Sequence, residues 1–145
     1  MVTVQEILAE KGTHILTVNG HASVLEAAVL MNEHKVGCLL VGGMDRLEGI
    51  VTERDVLMRV VAQRRDPAST KVQEVMTREV VCATPQMPLE EAQGLFMCRR
   101  IRHLPVVEPS GRVLGLISIG DLNAWQANEQ EQKLHFLHEY IYGRT

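Results

Sequence analysis

Aromatic residues are scarce. The 145-residue chain has one Trp, two Tyr and two Phe, so Val, Leu, Ile, Ala and Met have to fill its core. An excess of one charge is also missing. Fifteen Lys and Arg stand against eighteen Asp and Glu, a formal net charge of −3. Outside the pairs Arg64-Arg65 and Arg99-Arg100 the basic residues are scattered, whereas a nucleic-acid binder gathers them into a stripe. No apolar run approaches the roughly 18 residues of a bilayer-crossing helix. The opening MVTVQEILAEKG has early acids in place of the apolar stretch of a signal peptide. Cys38, Cys82 and Cys98 are odd in number and far apart, a pattern of reduced thiols rather than of a disulfide framework. The expectation is a cytoplasmic protein that binds neither nucleic acid nor membrane. Catalytic signatures are missing too. There is no G-x-S-x-G, P-loop or G-x-G-x-x-G, and no nucleophile is paired with a base. No enzyme is expected.

What the chain has is an internal repeat. VLEAAVLMNEHKVGCLLV followed by GIVTERD returns as LEEAQGLFMCRRIRHLPVV followed by GLISIGD. Ala27 and Ala92 are 65 apart, as are Val36 and Ile101, while Thr52 and Ser118, and Asp55 and Asp121, are 66 apart. The added residue falls in the turn at 108–111, and hairpin loops tolerate insertions.

Both copies read alike. An extended stretch (14–18; 80–83) leads into a helix (about 23–34; 88–99). Val24, Ala27, Ala28, Leu30 and Met31 give the first of these helices one buried face, and Pro88 suits the first turn of the second. Two short strands joined by a turn follow, at Gly42-Gly43-Met44-Asp45 and Glu108-Pro109-Ser110-Gly111. A further helix starts after Thr52 or Ser118, both good N-caps. The prediction is an α/β (α+β) fold of two β-α-β-β-α units packed through their sheets. The units span 1–63, with a lead-in helix, and 71–127, joined by the polar linker RRDPAST at 64–70. An amphipathic C-terminal helix and tail occupy 128–145.

The informative corners are Thr52-Glu53-Arg54-Asp55 and Ser118-Ile119-Gly120-Asp121. A hydroxyl and a carboxylate three residues apart share one helix face. The free N–H groups of the helix start suit a phosphate, and a carboxylate suits the hydroxyls of a ribose. The same spacing equally describes a plain capping box.

The tandem G-[IL]-[VI]-[ST]-x-x-D elements resemble the cystathionine β-synthase (CBS) domain pair, or Bateman module. VQEIL at 4–8, VQEVM at 72–76 and RHLPVV at 102–107 are also similar to that family, as is the tail Tyr140-Ile141-Tyr142-Gly143 to its stand-alone bacterial members. The resemblance runs from Val4 to about Trp125. It implies a regulatory protein that binds AMP, ADP, ATP, NAD(H) or S-adenosylmethionine between the motifs. It implies that Thr52 with Asp55, and Ser118 with Asp121, hold ribose and phosphate. Val18, Asn19, Gly37 and Cys38, with Ala83, Thr84, His103 and Leu104, would flank the adenine. Arg102 and His103 would meet phosphates, and Arg54 would add charge at the first helix start. The first copy has Gly37 and Cys38 where the second has Arg102 and His103, so the Thr52/Asp55 half-site is expected to be the stronger. A homodimer and a regulated protein partner are further implications.

Other residues carry competing readings. His103 is either a phosphate contact or a packed strand residue. His135 and His138, beside Glu139, are a metal pair or a solvated helix face. Cys38 and Cys82 read as small core residues, and Cys98, beside two arginines, as a surface thiol open to a redox role. Leu134, Leu137 and Ile141, with Phe136 and Tyr140 as a neighbouring stripe, either dock on a second chain or close the monomer core.

Overall fold

A computed structural model describes residues 1–12 and 14–142, and the side chains of all of these but 140 and 142. Helix α1 (Val4–Lys11) precedes strand β1 (Thr17–Val18), helix α2 (Val24–His34), and strands β2 (Cys38–Gly42) and β3 (Leu47–Thr52). Helix α3 (Glu53–Val56) runs on into one π-helical turn, Leu57–Val61. The second copy follows as α4 (Val72–Val75), α5 (Leu89–Arg99), β4 (His103–Val107), β5 (Val113–Ser118) and α6 (Ile119–Tyr142).

β1 pairs parallel with β2, and β2 antiparallel with β3, in one sheet; β4 and β5 form an antiparallel pair. The extended stretch expected at 80–83 shrinks to a single bridge, Ala83 to Val106. Proline explains the loss. In the first copy the Leu40 N–H donates to the Leu16 carbonyl at 3.1 Å. Pro105 holds the place of Leu40 and has no N–H, so the equivalent bond cannot form and only the two flanking bonds, both with Ala83, remain. In the first copy, of 14–18, only Thr17 and Val18 are strand.

Helix ends follow local chemistry. The Ser23 hydroxyl accepts the Glu26 N–H at 3.0 Å and starts α2. Lys35 and Arg100, one past the ends of α2 and α5, adopt left-handed backbone at φ 54° and 52°. That conformation is uncommon for a side chain with a Cβ.

The lead-in segments are exchanged. α1, expected to travel with the first unit, puts Val4, Ile7 and Leu8 into a core with Leu89, Phe96, Leu104 and Ile117 of the second. α4 puts Val72, Val75 and Met76 into the first core, beside Val24, Met31 and Val51. Matching backbone bonds fix both: Val4 N–H to Met87 O and Gln5 N–H to Pro85 O, against Val72 N–H to Ala22 O and Gln73 N–H to Gly20 O. Between the sheets lies a third cluster, with Cys38, Leu40 and Ile50 from one copy and Val113 from the other. Neither unit has a complete core without the other.

Helix α6 is a continuous helix of 24 residues, about 36 Å long, that runs through residue 128, from the second unit into the C-terminal segment. Leu122 is buried near its start. Residues 127–138 are all exposed, and Leu134, Phe136, Leu137 and Ile141 do not close the monomer core. The side chain of Tyr140, and residue 143, lie outside the described residues.

Candidate functional site

Each corner forms where an antiparallel strand turns directly into a helix. At the first, the Asp55 N–H donates to Thr52 Oγ1 at 3.2 Å, and the Thr52 N–H donates to Asp55 Oδ2 at 3.0 Å. At the second, the same two bonds between Ser118 and Asp121 measure 3.1 and 2.8 Å. Both are reciprocal capping boxes. Thr52 and Asp55 are thus held rigidly at the mouth of one cleft, and Ser118 at the mouth of a second.

Cleft 1, about 360 Å³, lies between Thr52, Arg54 and Asp55 of the first copy and Val80, Val81, Arg100, Arg102 and His103 of the second. Cleft 2, also about 360 Å³, reverses the parts: Leu116 and Ser118 come from the second copy, and Ile15, Leu16, Lys35, Gly37 and Cys38 from the first. Position by position at spacing 65, Lys35 answers Arg100, and Cys38 answers His103. The left-handed turns after α2 and α5 set one basic side chain beside each cleft.

Of the predicted site residues, Thr52, Arg54, Asp55, Arg102 and His103 meet in cleft 1. Gly37, Cys38 and Ser118 meet in cleft 2, and His103 lines both. Asp121 reaches cleft 2 through Lys11, whose Nζ lies 2.6 Å from Asp121 Oδ2 and 2.8 Å from the Leu116 carbonyl.

Val18, Asn19, Ala83, Thr84 and Leu104 are not brought to either cleft. Strand register is the reason. Thr52 pairs with Cys38 at one end of β2, whereas Val18 pairs with Val41 three residues on, about 10 Å away. Val18 and Asn19 therefore line a separate polar depression with His21, Glu48 and Gln73. Ala83 likewise bridges Val106, three residues from His103. Ala83 and Leu104 are fully buried. Residues at the approach to the strand, Ile15, Leu16, Val80 and Val81, take the predicted positions. Lys11, Lys35, Glu53 and Arg100 also line the clefts, and the shared spacing of Lys35 and Arg100 marks that pair in the sequence.

Electrostatics differ between the clefts. The guanidiniums of Arg99, Arg100 and Arg102 have no internal partner among the described residues. Arg54 donates to the Arg100 carbonyl at 3.1 Å, and Arg59 to the carbonyls of Val75 and Met76 at 2.8 and 3.1 Å. Thr77 donates to Asp55 at 3.3 Å. Burial pushes the His103 imidazole below its ordinary 6.5; nearby Glu53 opposes this, while Arg102 and Lys11 add to it. Partial burial pushes Asp121 up, but the Lys11 ammonium and the Ser118 N–H outweigh it and hold its carboxyl below the usual range. Burial pushes the Cys38 thiol up to about 12, with Lys11 opposing and Glu53 reinforcing the shift.

The motif glycines have a steric cause. A Cβ on Gly49 would sit 2.7 Å from Met76 Sδ and 2.8 Å from the Thr77 carbonyl, and one on Gly115 would sit 2.6 Å from Leu8 Cδ2. Each glycine lets the exchanged lead-in press against the strand. At Gly37 a Cβ would meet Glu53 Oε1 at 3.2 Å and His103 Cε1 at 3.3 Å. His103 can stand between the clefts because Gly37 leaves it room.

No group of three potential metal ligands occurs among the described residues. His135 Nε2 lies 3.2 Å from Glu139 Oε1 on the same helix. No described helix is long and apolar enough to cross a membrane.

Fold and clefts together define a tandem-repeat α/β module with two ligand-sized crevices between its repeats. The family model of the CBS domain matches residues 2–62 and again 72–128. The chain belongs to the CBS domain family and carries two copies in tandem. It is 39% identical to the CBS domain-containing protein YhcV of Bacillus subtilis over 81% of this chain and 83% of that one. A putative signal-transduction protein with CBS domains from Burkholderia ambifaria superposes with a TM-score of 0.79 at 37% identity, covering 99% of this chain and 97% of that one. The CBS domain protein PAE2072 of Pyrobaculum aerophilum, solved in complex with AMP, superposes with a TM-score of 0.74 at 25% identity, covering 83% and 89%.

Proposed function

We propose that this protein is a regulatory module that binds an adenine nucleotide, AMP, ADP or ATP, in cleft 1. The observation that carries the reading is the pairing of Asp55 and the α3 start with the unpartnered guanidiniums of Arg100 and Arg102 across one crevice. Arginine matches phosphate geometry bidentately, and the carboxylate suits a ribose diol. The AMP complex of the Pyrobaculum relative supports the ligand class. The protein acts as a cytoplasmic sensor rather than as an enzyme, and a partner protein reads its occupancy.

A thermal-shift screen of nucleotide-stripped protein with AMP, ADP, ATP and NADH tests this. A ligand at about 100 times its Kd adds roughly 2.7 kcal/mol, several degrees for a domain of this size. A shift with NADH alone would move the reading to the nicotinamide dinucleotide. No shift at millimolar concentration would leave a ligand-free scaffold.

A homodimer belongs to the same proposal. Leu25 and Val29 on α2, with Leu57 and Val61 just past α3, are exposed apolar residues on neighbouring helices. Light scattering should give twice the 16.2 kDa chain mass; a monomer at micromolar concentration would refute it.

A further inference from the structure

The two clefts are alike in plan and unequal in charge. In cleft 1 the carboxylate of Asp55 meets a neutral hydroxyl, Thr77 Oγ1, and Arg59 Nε stands off at 3.9 Å. In cleft 2 the carboxylate of Asp121 is in direct contact with a cation, Lys11 Nζ at 2.6 Å. The lysine is the last residue of α1, and α1 is rooted in the second core by Val4, Ile7 and Leu8. Its second bond, to the Leu116 carbonyl at 2.8 Å, fixes the ammonium at the foot of β5. The pair is only partly exposed, with 33% and 25% of the two side chains reaching solvent, so screening by water is incomplete.

We propose that Lys11 is the residue that makes the clefts unequal: it occupies Asp121 in place of a ligand's sugar, so that the chain binds one nucleotide, in cleft 1. This rests on the reading of cleft 1 as a nucleotide site. A ribose entering cleft 2 would present two hydroxyl donors to a carboxylate already engaged by a charge-assisted bond, and neutral donors do not displace an ammonium without loss. At Asp55 the side-chain donor in direct contact is a hydroxyl of the same kind as the incoming ones; the nearest cation, Arg59, stands at 3.9 Å with its guanidinium held by the Val75 and Met76 carbonyls, and the 9% of the Asp55 side chain that reaches solvent is what a ribose can meet. Cleft 1 also has the free guanidiniums of Arg100 and Arg102 for the phosphate, whereas in cleft 2 the Lys11 charge is neutralised by Asp121 and Lys35 is, among the described residues, the one lysine left for an anion.

Isothermal titration of nucleotide-stripped protein tests this, with AMP and with adenosine as ligands. Adenosine carries the ribose without the phosphate, which removes any attraction of Lys11 for the ligand anion. The expected stoichiometry is one AMP per chain for wild type and for Lys11→Arg. Lys11→Met should show a second site for adenosine and for AMP, within about tenfold of the first in affinity, with the first site unchanged. Lys11 is a surface residue at a helix end, and thermal melts will show that the variants fold. Two sites in wild type, with the second weakened by Lys11→Met, would make Lys11 a ligand contact and overturn the proposal. One site in Lys11→Met would overturn it as well, while leaving the nucleotide reading intact. No binding by wild type and variants alike would defeat the nucleotide reading itself, and this inference with it.

Discussion

Asp55 holds a capping box and faces cleft 1, so its replacement separates structural from binding roles. Asp55→Ala removes the acceptor for the Thr52 N–H at 3.0 Å and for Thr77 Oγ1 at 3.3 Å. The Thr52 Oγ1 bond to the residue-55 N–H survives, so the cost is that of the part-buried Thr52 N–H and Thr77 hydroxyl left without their acceptor, about 1 kcal/mol each. The sum, about 2 kcal/mol, lowers Tm by roughly 4–8 °C at this chain length. Asp55→Asn keeps a side-chain oxygen for the Thr52 N–H, and its amide NH2 can donate to the Thr77 hydroxyl in place of accepting from it, so it should melt within about 2 °C of wild type by the same scaling. Nucleotide binding should divide the variants differently. A ribose diol needs two acceptor oxygens, and the amide offers one, so both variants should bind AMP at least tenfold more weakly. Scanning calorimetry and isothermal titration read the two effects independently. Wild-type AMP affinity in Asp55→Asn would refute the ligand role of this carboxylate. An unchanged Tm in Asp55→Ala would refute the energetic weight given to the two bonds its carboxylate accepts.

Four other expectations follow from the same geometry. AMP bound beside His103 favours the imidazolium, so the bound protein holds this proton to a higher pH than the free one. Affinity should therefore rise as pH falls and go on rising below 6.5, because the free imidazole is held below that ordinary value, and His103→Gln should flatten that dependence relative to wild type. In the absence of ligand, the unfolded chain takes up the His103 proton more readily than the folded one. Stability should fall as pH drops below 6.5, and urea titrations that show no such slope beyond that of His103→Gln would contradict the burial argument. Cys98 is exposed, whereas Cys38 is buried with its thiol pushed up to about 12; peptide mapping after brief thiol labelling should find Cys98 modified and Cys38 protected until the protein unfolds. Gly49→Ala forces a Cβ to 2.8 Å from the Thr77 backbone carbonyl, whereas in Gly115→Ala the conflict is with the tip of the Leu8 side chain. The first should lose about 1–3 kcal/mol and more than the second, and equal losses would refute the backbone-contact explanation.

The duplicated unit, its helices and the two capped corners are legible in the chain before it folds. These are local matters: a period of 3.6 in α2, Ser23, Thr52 and Ser118 as caps, and turn residues between strands, all of which act over a few residues. The Thr52/Asp55 and Ser118/Asp121 spacings were legible for the same reason, and cap and ligand readings could not be separated because both need identical residues. Tertiary structure alone decided which residues share a cleft. Register placed Val18 and Ala83 about three residues beyond the cleft mouths, and Pro105 removed a strand by withholding one N–H from a partner some twenty-four residues away. The exchange of α1 and α4 between cores, and with it the meeting of Lys11 and Asp121 across 110 residues, depends on packing between distant segments. No periodicity within either copy encodes that contact, because it exists only once both copies have closed on each other.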